Sequence, residues 1–125
     1  MINQALEIIK AHKDFHKVQF IVLYGSVAEG KDRDDSDIDL CVYYSGSQED
    51  ASRFHLEILS ELLLDDYDLQ IFNQLPLYIR KDVLKGKLLY FRDNYFVHDV
   101  AYQTMKEFLD FKKYYYDYIG AEMIT

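Results

Sequence analysis

Gly25-Ser26 and Asp37-Ile38-Asp39, separated by ten residues, are the part of this chain best suited to chemistry. Side chains alternate along a strand, so Asp37 and Asp39 face one side, with ~7 Å between their Cα atoms. Two carboxylates held that close repel each other unless a positive charge sits between them. Carboxylate oxygens are hard ligands, and the matching guest is Mg²⁺, which keeps part of its water and bridges to phosphate. A Gly-Ser turn adds backbone N–H groups and a hydroxyl, the groups that cradle phosphate oxygens. Glycine suits that turn because a side chain would block the approach of phosphate to the backbone. A third carboxylate is then expected on a neighbouring strand, and Asp68 is the acidic residue inside the candidate segment Tyr67 to Phe72. Three such carboxylates can hold two metal ions that clamp the entering and leaving oxygens of a displacement at phosphorus.

These residues need a rigid frame. Val18 to Tyr24 is an apolar, β-branched and aromatic run that reads as a buried strand, stopped by Gly25-Ser26. Val27 to Ser36 reads as a tight polar turn or one short helical turn, and Asp37 to Tyr44 as the next strand. Ser47, followed by Glu49 and Asp50, marks a helix start; that helix runs to about Leu64 with Phe54, Ile58, Leu59 and Leu62 inward. In Tyr67 to Phe72, Asp68 and Gln70 share one face, and Leu69 and Ile71 the other. Residues 2 to 13 form an amphipathic helix ahead of the first strand. A further helix is predicted from Pro76 to a cap at Gly86, then a short strand from Lys87 to Arg92. Beyond Asn94, one long helix face is traced by Val97, Ala101, Met105, Phe108, Lys112, Tyr115 and Ile119.

Composition narrows the function classes. The 125 residues suit one domain spanning 1–125, large enough to fold without a disulfide or structural metal. A net charge of −8 disfavours general nucleic-acid or anionic-membrane binding. No apolar run reaches the ~18 to 20 residues of a membrane span, and MINQALEIIK lacks a signal peptide's order of charge and apolarity. A single Cys41 suits a reducing cytoplasm.

The Tyr24-Gly25-Ser26 string, ten residues, and Asp37-Ile38-Asp39 resemble the motif of the DNA polymerase β-like nucleotidyltransferases, specifically their minimal nucleotidyltransferase (MNT) branch. The resemblance extends over nearly the whole chain, from the leading helix to the helix beginning near Asn94. It implies an α/β fold, a small, mixed and mostly antiparallel sheet flanked by helices. It implies an antitoxin that transfers AMP from ATP to a tyrosine of a HEPN-domain ribonuclease toxin. Carried over by resemblance, Asp37 and Asp39 would hold Mg²⁺ against the triphosphate. Asp68 would bind the catalytic metal and help deprotonate the acceptor, and Gly25 and Ser26 would grip the outer phosphates. The chain departs from the pattern at Glu29, where many members carry Arg or Lys, so Lys31 or Arg33 would have to compensate. Two rival functions are a contact-only antitoxin and a small-molecule nucleotidyltransferase, although the second usually needs another domain to hold its acceptor.

Other signals are weaker. Asp32 to Asp37 lacks the glycine and twelfth-position Glu of a calcium loop, so Asp32, Asp34 and Asp35 read as solvated acids. His12 and His16 read as a surface pair without a third ligand. Cys41 reads as a small core residue pointing opposite the two aspartates. The tyrosines of Lys112 to Ile119 read first as a helix packing on its own sheet, and second as a partner contact. Arg80, Lys81, Lys85 and Lys87 read first as a solvated basic face, and second as a nucleotide or partner contact.

Overall fold

The computed structural model describes residues 2–25, 38–62 and 67–124, with side chains through Tyr115. The elements run α1 (Ile2–Ala11), β1 (Val18–Tyr24), β2 (Ile38–Tyr44), α2 (Gln48–Leu62), β3 (Tyr67–Ile71), α3 (Leu77–Val83), β4 (Lys87–Phe91) and α4 (Asn94–Ile124). The four strands lie in the order β3-β2-β1-β4. The central strand β1 pairs antiparallel with β2 and with β4, and β2 pairs parallel with β3. This is the mixed, mostly antiparallel sheet expected. The parallel pair needs a crossover, and α2 supplies it.

Alternation along the strands gives the sheet two faces, each with its own core. One face carries Ile21, Leu23, Leu40, Val42, Tyr44, Leu69 and Ile71, packed against Ala5 and Ile9 of α1 and Phe54 and Ile58 of α2. The other carries Phe20, Val22 and Cys41 with Phe72, packed against Val83 and the first turns of α4 through Phe96, Val97 and Val100. Aromatic edges close that second face: the Tyr43 ring meets Phe96 at 5.0 Å and Phe20 at 5.2 Å.

Local chemistry sets the element ends. Ser47 Oγ accepts the Asp50 N–H at 3.0 Å and caps α2. Pro76 is extended and precedes the first turn of α3, where its missing N–H costs nothing. Gly86 differs from its expected role. Left-handed φ is found at Gly25 among the described glycines. At Gly86 a Cβ would strike the Leu23 carbonyl oxygen, so glycine is there because the chain passes hard against β1.

Helix phases differ from the sequence reading at three places. Leu59 is exposed, and Ala51 takes its place on the buried stripe of α2. On α4, Met105 is exposed and Thr104 faces inward. Tyr114 and Tyr115 are 76% and 52% exposed, so the described part of the tyrosine run does not pack on the sheet. His12 is a further correction: its side chain turns inward and its Nε2 meets Glu57 Oε2 at 2.5 Å, tying α1 to α2, while His16 stays exposed. The basic face is partly neutralised, with Arg80 beside Glu107 at 3.7 Å and Lys81 seated 4.4 Å over the Phe108 ring.

Candidate active site

The site grows from the end of β1. Tyr24 closes that strand and lies opposite Asp39 in the β1–β2 ladder. On the other side of β2, Asp39 lies opposite Asp68 in the parallel β2–β3 ladder. Neighbouring strands run ~4.8 Å apart, so three consecutive strands bring Tyr24, Asp39 and Asp68 into one row across the sheet. Asp39 and Asp68 are each half-buried.

Gly25 follows at once and turns the chain with φ +82°. A Cβ on Gly25 would run into the Asp39 carboxylate. Two independent reasons therefore demand glycine here: the left-handed backbone, and the close passage of that backbone over an acid.

The electrostatics report the same convergence. Burial raises the Tyr24 phenol well above its usual 10, and Cys41, Asp68 and Asp39 push it in the same direction. The hydroxyl therefore stays protonated, within the field of both carboxylates. Cys41 corrects the sequence reading. It is fully buried as expected, but two residues on from Asp39 it lies on the same face of β2, not the opposite one. Burial raises its thiol, so it behaves as a small apolar group. Gln70, two residues beyond Asp68, donates its Nε2–H to Asp68 Oδ1 at 3.0 Å. Tyr24 was not singled out from the sequence as part of this site, and Gln70 was noted only for sharing the face of Asp68. For Gln70 the signal was alternation counted from Asp68 along β3; Tyr24 lies on another strand, and the β1–β2 register places it beside Asp39.

Ser26 and Asp37 lie outside the described residues, as do Glu29, Lys31, Arg33 and the acids from Asp32 to Asp35. Among the described residues no group of three His, Cys, Asp or Glu side chains is placed to hold a metal. The described donors nonetheless suit a hard cation. Asp39 and Asp68 offer oxygen ligands from register-paired positions, and Mg²⁺ needs only one or two carboxylates when water and phosphate complete its shell. Among the described residues no helix is long and apolar enough to cross a membrane.

Comparison with known proteins bears on this geometry. Residues 6–95 match the family model described as polymerase beta, nucleotidyltransferase. A Methanocaldococcus jannaschii protein named "Putative protein adenylyltransferase MJ1547" is 36% identical over 97 residues, covering 78% of this chain and 75% of its own. A chain of a toxin–antitoxin crystal structure with AMP-PNP superposes with a TM-score of 0.76 at 23% identity, over 97% of both chains. A chain of the tri-AMPylated Shewanella oneidensis HEPN toxin in complex with MNT antitoxin superposes with a TM-score of 0.68 at 19% identity, over 97% of this chain and 94% of that one. At those identities the structural likeness speaks to the fold.

Proposed function

Because the chain belongs to the polymerase β nucleotidyltransferase family, we propose that it transfers AMP from ATP to a tyrosine hydroxyl of a HEPN ribonuclease toxin, acting as that toxin's antitoxin. The observation that carries the reaction is the row of Tyr24, Asp39 and Asp68 beside the left-handed Gly25. The protein acceptor is supported by the relative named as a protein adenylyltransferase, and the toxin by fold neighbours solved as toxin–antitoxin complexes. We take residues 1–125 as one nucleotidyltransferase unit working in the cytoplasm, where ATP is supplied.

In this reading the tyrosine oxygen attacks the α-phosphorus of ATP, a new P–O bond forms, and the bond to the bridging oxygen breaks as pyrophosphate leaves. Asp37 and Asp39 would hold Mg²⁺ against the triphosphate, and Asp68 would share a second ion with them. When bound, Mg²⁺ neutralises the charge that develops on the phosphate oxygens. Asp68 accepts or relays the phenolic proton, and the Gly25 backbone with Ser26 grips the outer phosphates. The chain forms no covalent intermediate; it supplies position and charge.

The test uses ATP labelled at the α-phosphate, Mg²⁺ and a co-expressed HEPN toxin. Wild type should label the toxin, and Asp39→Asn should not. Asp39→Asn that still neutralises the toxin would instead favour an antitoxin acting by contact alone. Label passing to a small hydroxyl compound but not to the toxin would favour the small-molecule enzyme.

A further inference from the structure

Gln70 is a polar residue of the site face to which the proposed reaction gives no part. It follows Asp68 by two positions on β3, so both side chains leave the same side of the sheet. Its Nε2–H donates to Asp68 Oδ1 at 3.0 Å. The orientation of the amide follows from chemistry, since an ionised carboxylate only accepts hydrogen bonds. Across the β2–β3 ladder Gln70 faces Cys41, whose buried thiol is small and is kept protonated by burial.

An aspartate needs such a donor here. The last torsion of an Asp side chain is broad, so a carboxylate without a fixed partner samples many orientations. Asp39 stands at the paired position on the next strand, so two like charges share one row and neither steadies the other. A neutral amide can hold one oxygen without cancelling the negative charge that a cation requires. That separates Gln70 from a Lys or Arg in the same place, which would pair with the acid and compete with the metal.

We infer that Gln70 is a positioning residue for Asp68: its amide fixes Oδ1, so that Oδ2 is presented to a divalent cation in the row formed with Asp39. The inference rests on the metal-dependent reading above and adds a residue to it. Partners of this kind typically change metal affinity or activity by 10–100-fold when removed.

The probe is Mn²⁺ alone, titrated into the full chain and followed by the electron paramagnetic resonance of the free ion. Gln70→Met keeps the unbranched stem and removes the donor, and Gln70→Leu gives a second donor-free side chain should the first fold poorly. The expected result is a 10–100-fold weaker apparent Kd for Mn²⁺ with the thermal midpoint retained. In turnover, kcat should fall while KM for the toxin stays near wild type. Mn²⁺ affinity within twofold of wild type in a folded donor-free variant would overturn the inference. Wild type binding no more Mn²⁺ than Asp39→Asn/Asp68→Asn would overturn the metal reading beneath it, and the inference with it.

Discussion

Replacing Gly25 by Ala separates two demands that this position satisfies at once. The backbone at Gly25 has φ +82°, a conformation that costs an L-residue about 1–2 kcal/mol. For a domain of this length each kcal/mol lowers the melting midpoint by roughly 3–6 °C, so Gly25→Ala should melt about 3–12 °C below wild type. The new Cβ also meets the Asp39 carboxylate, the far end of a side chain that can rotate away. That relief is cheap in stability and expensive in function, because a carboxylate displaced by about 1 Å can lose about 100-fold in rate. Gly25→Asn distinguishes the two effects. Asn enters the left-handed region more readily, so part of the lost stability should return, but its Cβ occupies the same space and transfer should stay low. Melting followed by circular dichroism and transfer of labelled AMP would be measured on all three proteins. Gly25→Ala that melts low yet transfers AMP at the wild-type rate would refute the claim that Asp39 needs the space above Gly25.

Two further predictions concern stability. Ser47→Ala removes the acceptor for the Asp50 N–H and should cost about 1 kcal/mol in urea unfolding, leaving AMP transfer unchanged; no loss would show that the cap contributes nothing. Burial holds the Cys41 thiol protonated above its ordinary value of 9.0 in the folded chain. Its contribution is therefore complete below pH 9 and is lost as the pH rises further, at roughly 1 kcal/mol per pH unit. Urea titrations at pH 8, 9.5 and 10.5 should show wild type falling faster than Cys41→Ala, with Tyr24 adding to the fall in both proteins. Equal slopes would contradict the assignment.

The strands were legible in the sequence because short apolar runs ended at strong punctuation. Val18–Tyr24 stops at Gly25, and Tyr67–Ile71 alternates without interruption. The pairing of Asp39 with Asp68 was foreshadowed only as an expectation of a third acid, since register is a property of two strands together and neither sequence states it. Cys41 was misplaced although alternation alone decides it: positions 39 and 41 share a face. Leu59 and Met105 show a different limit. An amphipathic helix has apolar residues at the border of its stripe, and the neighbouring element decides which of them is covered. Gly86 shows a third, because a glycine required by a backbone passing over β1 looks the same in sequence as one that caps a helix.

The length of α4 has a consequence for how the protein opens and closes its hydrogen bonds. At 31 residues the helix is about 46 Å long, while β1 beneath it spans seven residues, or roughly 23 Å. Its first turns rest on Phe20 and Val22, but every residue from Leu109 to Tyr115 is exposed. Support from other elements thins along this stretch, where Phe111 lines a cleft with Pro76, Leu77 and Tyr78 at the start of α3, and isolated helical segments are marginal in water. Amide exchange along α4 should therefore run as a gradient, slow near Val97 and Val100 and fast beyond Leu109. Binding a partner on the distal half would flatten that gradient, so the exchange profile of this one helix would register association even where the sheet and its carboxylates do not move.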